Sequence, residues 1–150
     1  MRIERLSFDT ITEEMLEDMV EIENNCGLEP FPPEVLLADL KFQETFACIE
    51  DGHIIAFITV SDEEGYYEGD LFIFNLNVGL EHRRKGLATG LIRKALSEHP
   101  ECAYMTLDVR KDNEKAMKLY EKLGFQKVDI SSLNGDSDIV MRADRNTILK

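Results

Sequence analysis

Hydrophobic and polar positions alternate between two rhythms along this chain, and the switches mark its elements. Arg2–Ser7 alternates polar with apolar and predicts a first strand. Thr10-Ile11-Thr12-Glu13 matches a capping box with Thr10 as N-cap. The helix it opens carries Met15, Leu16, Met19, Val20 and Ile22 at helical spacing and ends at Cys26-Gly27. Prolines in Glu29-Pro30-Phe31-Pro32-Pro33 impose an extended connection before a second, short helix from Glu34 to about Leu40. Thr45–Glu50 and His53–Ser61 read as strands joined by Asp51-Gly52, a two-residue hairpin signal. A polar loop over Asp62–Gly69 holds Tyr66 and Tyr67, and a plain surface position is expected for both.

Leu71–Val78, mostly apolar, reads as the fourth strand. The helix after it, about Lys85 to Glu98, puts Ala88, Leu91, Ile92, Ala95 and Leu96 on one stripe, and Pro100 marks its end. Tyr104–Val109 is a fifth strand. Asn113–Leu123 is a helix with Ala116, Leu119, Tyr120 and Leu123 as its inner face and Gly124 as its stop. Phe125–Asp129 and Asp138–Arg142 are the last strands, with Asn134-Gly135 as a hairpin signal between them. A frayed tail is expected up to Lys150. The 150 residues suit one domain, 1–150, without a repeat or linker.

Charge changes this picture at one point. The net charge is −13, yet residues 1–81 hold 20 Asp/Glu against 3 Lys/Arg, whereas residues 82–150 hold 10 against 14. The sign changes at His82-Arg83-Arg84-Lys85-Gly86, a short cationic turn between a strand and a helix. A glycine there lets backbone N–H groups turn toward an anion, and the helix start adds its positive dipole end. Two readings of the acidic half are open: solubility alone, or a surface for a cationic acceptor facing the anion site. A nucleic-acid partner is not expected, because the basic cluster is short and carries no extended basic face.

Cys26, Cys48 and Cys102 are widely spaced and form no CxxC motif, so reduced thiols and no metal site are expected, with Cys48 in a strand core. No apolar run approaches the roughly 20 residues of a membrane span, and the first ten residues lack a signal-peptide core. No membrane association and a cytoplasmic location are therefore expected.

Two motifs carry a family resemblance. Val78 through Ala88, with Arg83-x-x-Gly86-x-Ala88 at its centre, resembles motif A of the GNAT acetyltransferases. The run Leu107-Asp108-Val109, Asn113, Ala116, Leu119-Tyr120 and Gly124-Phe125 resembles motif B. The ribosomal-protein alanine N-acetyltransferases are the most similar subgroup, from Phe74-Asn75-Leu76-Asn77-Val78, the Leu-acid-Val strand and Phe31-Pro32. The resemblance implies an α/β fold: a mixed sheet of about seven strands, splayed between strands 4 and 5, with about four flanking helices.

It also implies acetyl-CoA as co-substrate, filling the gap as a pseudo-strand. The Leu76 N–H would polarise the acetyl carbonyl, Asn77 and Val78 would flank the pantetheine arm, and Arg83, Arg84, Lys85, Gly86, Leu87, Ala88 and Thr89 would cradle the pyrophosphate. Asn113 would cap its helix and lie by the same arm. Tyr120 would protonate the departing thiolate, since a phenol of pKa about 10 keeps its proton at pH 7. Asp108 stands at the subgroup's proton-acceptor position, or pairs with a nearby Lys or Arg. An unshifted carboxyl of pKa about 3.9 would need a water relay or a raised pKa for that work. The Glu that other branches use is replaced by Phe72.

The implied reaction is acetyl transfer to a primary amine. A protein N-terminus is one acceptor: an α-amine of pKa about 8 is roughly 10% neutral at pH 7 and suits a weakly equipped base. Ile130–Gly135 lacks the hairpin tyrosines of peptide-acetylating relatives, which keeps a small cationic amine (polyamine, amino acid or aminoglycoside) open. A non-catalytic acyl-CoA-binding module is a third possibility. Monomer and homodimer are both compatible with the sequence.

Overall fold

The computed structural model describes residues 2–26, 32–131 and 138–150. Its strands follow one order, β1-β2-β3-β4-β5-β7-β6, in a seven-stranded mixed sheet. They are β1 (Arg2–Leu6), β2 (Glu44–Glu50), β3 (His53–Ser61), β4 (Leu71–Val78), β5 (Tyr104–Arg110), β6 (Gln126–Ser131) and β7 (Asp138–Asp144). The helices are α1 (Glu13–Cys26), α2 (Pro33–Phe42), α3 (Leu87–Ser97), α4 (Glu114–Leu123) and the one-turn α5 (Arg145–Ile148). The chain divides into two compact units, residues 1–60 with 74–95 and residues 61–73 with 96–150.

In the first unit β1, β2 and β3 pair antiparallel. Asp51 and Gly52 have φ of 53° and 80°, which the two-residue turn between β2 and β3 requires and which glycine adopts without strain. Helix α1 lays Met19 and Ile22 against Leu36 and Leu40 of α2 and against Ala47, Ile54 and Phe57 of the sheet. Burying each of these larger side chains contributes about 1.5–3 kcal/mol. The Asp18 carboxylate accepts from the Ile54 amide at 3.0 Å and lies 3.2 Å from His53 Nδ1, which fixes α1 over the start of β3. The cap of α1 is Thr12, not Thr10: Thr12 Oγ1 accepts from the Met15 amide at 3.1 Å. Thr10 and Ile11 instead donate their amides to the Ser7 carbonyl in a preceding turn, so the expected box does not form. Pro33 opens α2, where its missing N–H costs no hydrogen bond.

In the second unit β5 pairs antiparallel with β7, and β7 with β6 at the sheet edge. The β4–β5 pairing is parallel and its register runs from Leu71↔Met105 to Ile73↔Leu107. Asn113 Oδ1 accepts from the Ala116 amide at 3.2 Å and caps α4, and Gly124 ends it at φ +105°. The buried face of α4 is Met117, Tyr120 and Leu123. The expected Ala116 and Leu119 are only half-buried, because the stripe is rotated toward Met117. The tail is not frayed where a fray was expected. Asp144 caps α5, Ile148 is fully buried, and the Arg145 guanidinium donates to the carbonyls of Leu96, His99 and Cys102 at 3.1, 2.8 and 3.2 Å. Asn134-Gly135 lies outside the described residues.

Candidate active site

The first unit carries the anion turn. After β4 come Gly79, a 3-10 turn over Leu80–His82, and extended Arg83; Arg84 and Gly86 then take φ of +66° and +78° before α3 starts at Leu87. Left-handed residues alternating with ordinary ones make successive N–H groups converge, which is the backbone form of an anion nest. Gly86 also accepts the first helical bond of α3 from the Gly90 amide, so the nest runs directly into a helix N-terminus. A Cβ built on Gly86 would meet no heavy atom within 4 Å, so this face of the turn is open for close approach by a ligand. Arg83, Arg84 and Lys85 are exposed, and Arg83 Nε donates back to the Val78 carbonyl at 3.3 Å. Leu87 is buried, with Ala88 and Thr89 half-buried behind the turn. Leu76, Asn77 and Val78 are half-buried on the strand leading in. The structure thus brings ten of the expected residues, Leu76–Val78 and Arg83–Thr89, onto one strand–turn–helix segment.

Two carboxylates that the sequence motifs did not mark, Glu23 and Asp39, meet this strand. Asn77 Nδ2 donates to Glu23 Oε1 of α1 at 2.6 Å, and Asn75 Nδ2 donates to Asp39 Oδ2 of α2 at 3.4 Å. Glu23 is only 6% exposed. Burial pushes its carboxyl up to about 7, opposed by the Asn77 hydrogen bond and reinforced by the charge of Asp39. Burial also raises Asp39. A signal for Glu23 was present, since it lies four residues after Met19 on the stripe that α1 buries.

The second unit carries Asp108, Asn113 and Tyr120. Tyr120 on α4 is buried, packs edge-on against Phe125 at 5.7 Å, and is pushed up to about 12 by burial and then by the Asp108 charge. It stays protonated across the neutral range. Asp108, half-buried on β5, accepts the Tyr66 phenol on Oδ2 at 2.6 Å and pairs with no Lys or Arg among the described residues. Ser131 Oγ lies 2.9 Å from the same phenol oxygen. Tyr66 is therefore half-buried structure, not the plain surface residue expected, and burial together with the Asp108 bond raises its pKa. Phe72 meets Tyr66 edge-on at 5.6 Å and forms the apolar wall behind it. Asn113 is exposed, with its Oδ1 committed to the helix cap.

The mixed sheet, with β4 and β5 parallel, and its helices make this an α/β fold. The family model for the Acetyltransferase (GNAT) family matches residues 11–125, and the chain belongs to that family. Among curated proteins it is 41% identical over 56 residues to N-alpha-acetyltransferase 30 of Xenopus laevis, covering 36% of this chain and 20% of that protein. It is 34% identical over 86 residues to the N-terminal acetyltransferase A complex catalytic subunit NAA10 of Arabidopsis thaliana, covering 55% and 45%. The matched segments thus span less than half of either relative. Among solved structures, the ribosomal-protein-S18-alanine N-acetyltransferase of Escherichia coli has a TM-score of 0.72 at 22% identity, covering 95% of this chain and 94% of that one. The PaiA N-acetyltransferase of Thermoplasma acidophilum, solved with coenzyme A, has a TM-score of 0.73 at 19% identity, covering 96% and 99%. At these identities the likeness is one of fold. Among the described residues, no helix is long and apolar enough to cross a membrane.

Proposed function

We propose that the chain is a single-domain N-acetyltransferase that moves acetyl from acetyl-CoA to a primary amine, a protein N-terminal α-amine being the acceptor class favoured. The observation that carries this reading is the paired left-handed turn at Arg84 and Gly86 opening α3, in a chain of the GNAT family. Acetyl-CoA supplies an activated thioester, and the open face at Gly86 suits a pyrophosphate. Leu76 would donate its N–H to the acetyl oxygen, Asn77 and Val78 would flank the pantetheine arm, and the amides of Arg84–Thr89 would hold the phosphates. The amine nitrogen forms the new C–N bond as the C–S bond breaks, and Tyr120 would give its proton to the departing thiolate. Burial, and after it the Asp108 charge, raises the Tyr120 pKa and keeps the proton on the phenol until the thiolate forms. Asn113 would keep α4 in register through its cap.

Support for an α-amine comes from the curated relatives, both named as N-terminal or N-alpha-acetyltransferases. The acidic first half keeps a small cationic amine as the second reading. Thiol release from acetyl-CoA, measured with peptides bearing free N-termini, polyamines, amino acids and aminoglycosides, decides between them. Release with the peptides alone supports the first reading, and release with small amines alone overturns it. Tight acetyl-CoA binding without turnover on any amine would instead make the chain a non-catalytic acyl-CoA-binding module.

A further inference from the structure

A buried carboxylate is costly unless a cation or strong donors compensate it. Glu23, 6% exposed, has instead the neutral Asn77 amide at 2.6 Å and the like charge of Asp39. Nothing in that arrangement favours the anion strongly, so the group is poised to take up a proton. Its position is specific as well. Asn75 and Asn77 alternate on β4, and each amide holds one helix carboxylate, Asp39 from α2 and Glu23 from α1. Leu76, between them, is the residue whose N–H meets the acetyl group in the reaction proposed above. Glu23 is therefore fixed within one amide side chain of the strand that presents the acetyl group.

The geometry points to Glu23 as the general base that takes the proton of the acceptor ammonium, with Asn77 and Asp39 tuning it from β4 and α2. This rests on the acetyltransferase reading. The ammonium gives one proton to the Glu23 carboxylate, directly or through one water, leaving a neutral amine and a carboxylic acid. The amine lone pair then forms the C–N bond as the C–S bond breaks; the thiolate takes the Tyr120 proton, the second proton shed by the acylated nitrogen restores that phenol through water, and Glu23 returns its own proton to solvent after product release. A base near neutrality lies about one unit below an α-ammonium of pKa about 8, but more than three below a lysine ammonium of about 10.4. The same residue thus selects α-amines over lysine side chains.

The experiment is the pH dependence of kcat/KM for an N-terminal peptide at saturating acetyl-CoA, in the wild type and in Glu23→Gln, Asp39→Asn, Asn77→Leu and Asp108→Asn. The wild type should show an acidic limb near neutrality. Glu23→Gln should lose that limb and fall about 10²–10⁴-fold in kcat/KM, with the KM for acetyl-CoA within twofold of wild type. Asp39→Asn removes a like charge and should move the limb to lower pH; Asn77→Leu removes a hydrogen bond to the anion and should move it to higher pH. Asp108→Asn should leave the limb in place whatever it does to the rate.

A limb that survives Glu23→Gln, or that vanishes in Asp108→Asn, overturns the proposal, as do shifts of the same sign in the two tuning variants. Should Glu23→Gln not fold, Glu23→Asp replaces it and should keep the limb at reduced kcat; a loss of the limb there counts against the proposal. Titration of the Glu23 carboxyl by carbon NMR separates this inference from the activity itself. A midpoint in the ordinary glutamate range overturns the base assignment alone. A neutral midpoint in a protein that transfers acetyl to no amine overturns the acetyltransferase reading and, with it, the catalytic use of Glu23.

Discussion

Replacing Tyr120 with Phe removes one oxygen from a buried ring and leaves its packing in place. The edge-on contact with Phe125 at 5.7 Å survives, as does the apolar face shared with Met117 and Leu123. The stability change should stay within about 1 kcal/mol. The chemical cost is larger. A thiol of pKa about 8.5 leaving unprotonated at pH 7 is uphill by about 1.5 units, or about 2 kcal/mol and 30-fold in rate. That is a lower bound set by water. Tyr120 is only 8% exposed, and a thiolate forming beside it would be poorly hydrated, which brings the expected loss into the general-acid range of about 10²–10⁴ in kcat.

Burial holds the Tyr120 phenol up at about 12, so its ionised fraction at pH 7 is about 10⁻⁵. The wild type should therefore show no alkaline loss attributable to this acid below about pH 11. In Tyr120→Phe the deficit should shrink above the thiol pKa, where the leaving group no longer needs a proton. A thiol-detection assay over pH 6–10 reads both effects, with calorimetric acetyl-CoA affinity as the control. An unchanged kcat, or a deficit independent of pH, would refute the assignment of Tyr120 as the acid.

Three further outcomes follow from the same geometry. Gly86→Val forces a β-branched residue to φ +78° on the open face of the nest, and should weaken acetyl-CoA binding at least tenfold by calorimetry; unaltered affinity would mean the cradle lies elsewhere. Arg142→Ala leaves the 4%-exposed Asp70 without its two-pronged partner at 2.7 and 2.9 Å, and should cost about 3 kcal/mol and about 6–12 °C in Tm, read by thermal unfolding. Glu23 supplies a pH-dependent stability term. Its folded pKa of about 7 lies above the unfolded 4.5, so the folded state binds the extra proton and the contribution is lost as pH rises from 4.5 through 7. Relative to wild type, Glu23→Gln should gain about 2–3 kcal/mol between pH 4.5 and pH 8 in denaturant unfolding, and a constant difference would contradict the buried carboxyl.

Strand and turn positions were legible where local chemistry decides them. Leu71–Val78 was readable from its mostly apolar run, the β2–β3 hairpin from Asp51-Gly52, and the end of α4 from Gly124. Thr10 and Thr12 show the limit. Both can cap, Thr10 has the better pattern with Glu13, and the Ser7 carbonyl settles the matter by drawing Thr10 and Ile11 into a turn. The order in α5 depends on Arg145 reaching carbonyls more than forty residues away, a contact no local pattern encodes. Tyr66 and Asp108 are likewise joined across 42 positions of chain. The turn after β4 and the cap of α4 were legible in the motif segments, because both are local. The carboxylates that α1 and α2 bring to β4 are tertiary, and only the stripe spacing from Met19 to Glu23 hinted at one of them.

The most direct test is transfer itself. Incubated with acetyl-CoA and a peptide whose α-amine is free, the protein should release one equivalent of thiol per acetyl found by mass spectrometry on the peptide N-terminus. The same peptide with a blocked N-terminus and a free lysine should be left unmodified. Acetylation of the lysine peptide at an equal rate would contradict the α-amine assignment, and no thiol release with any amine by a protein that binds acetyl-CoA would contradict the enzyme.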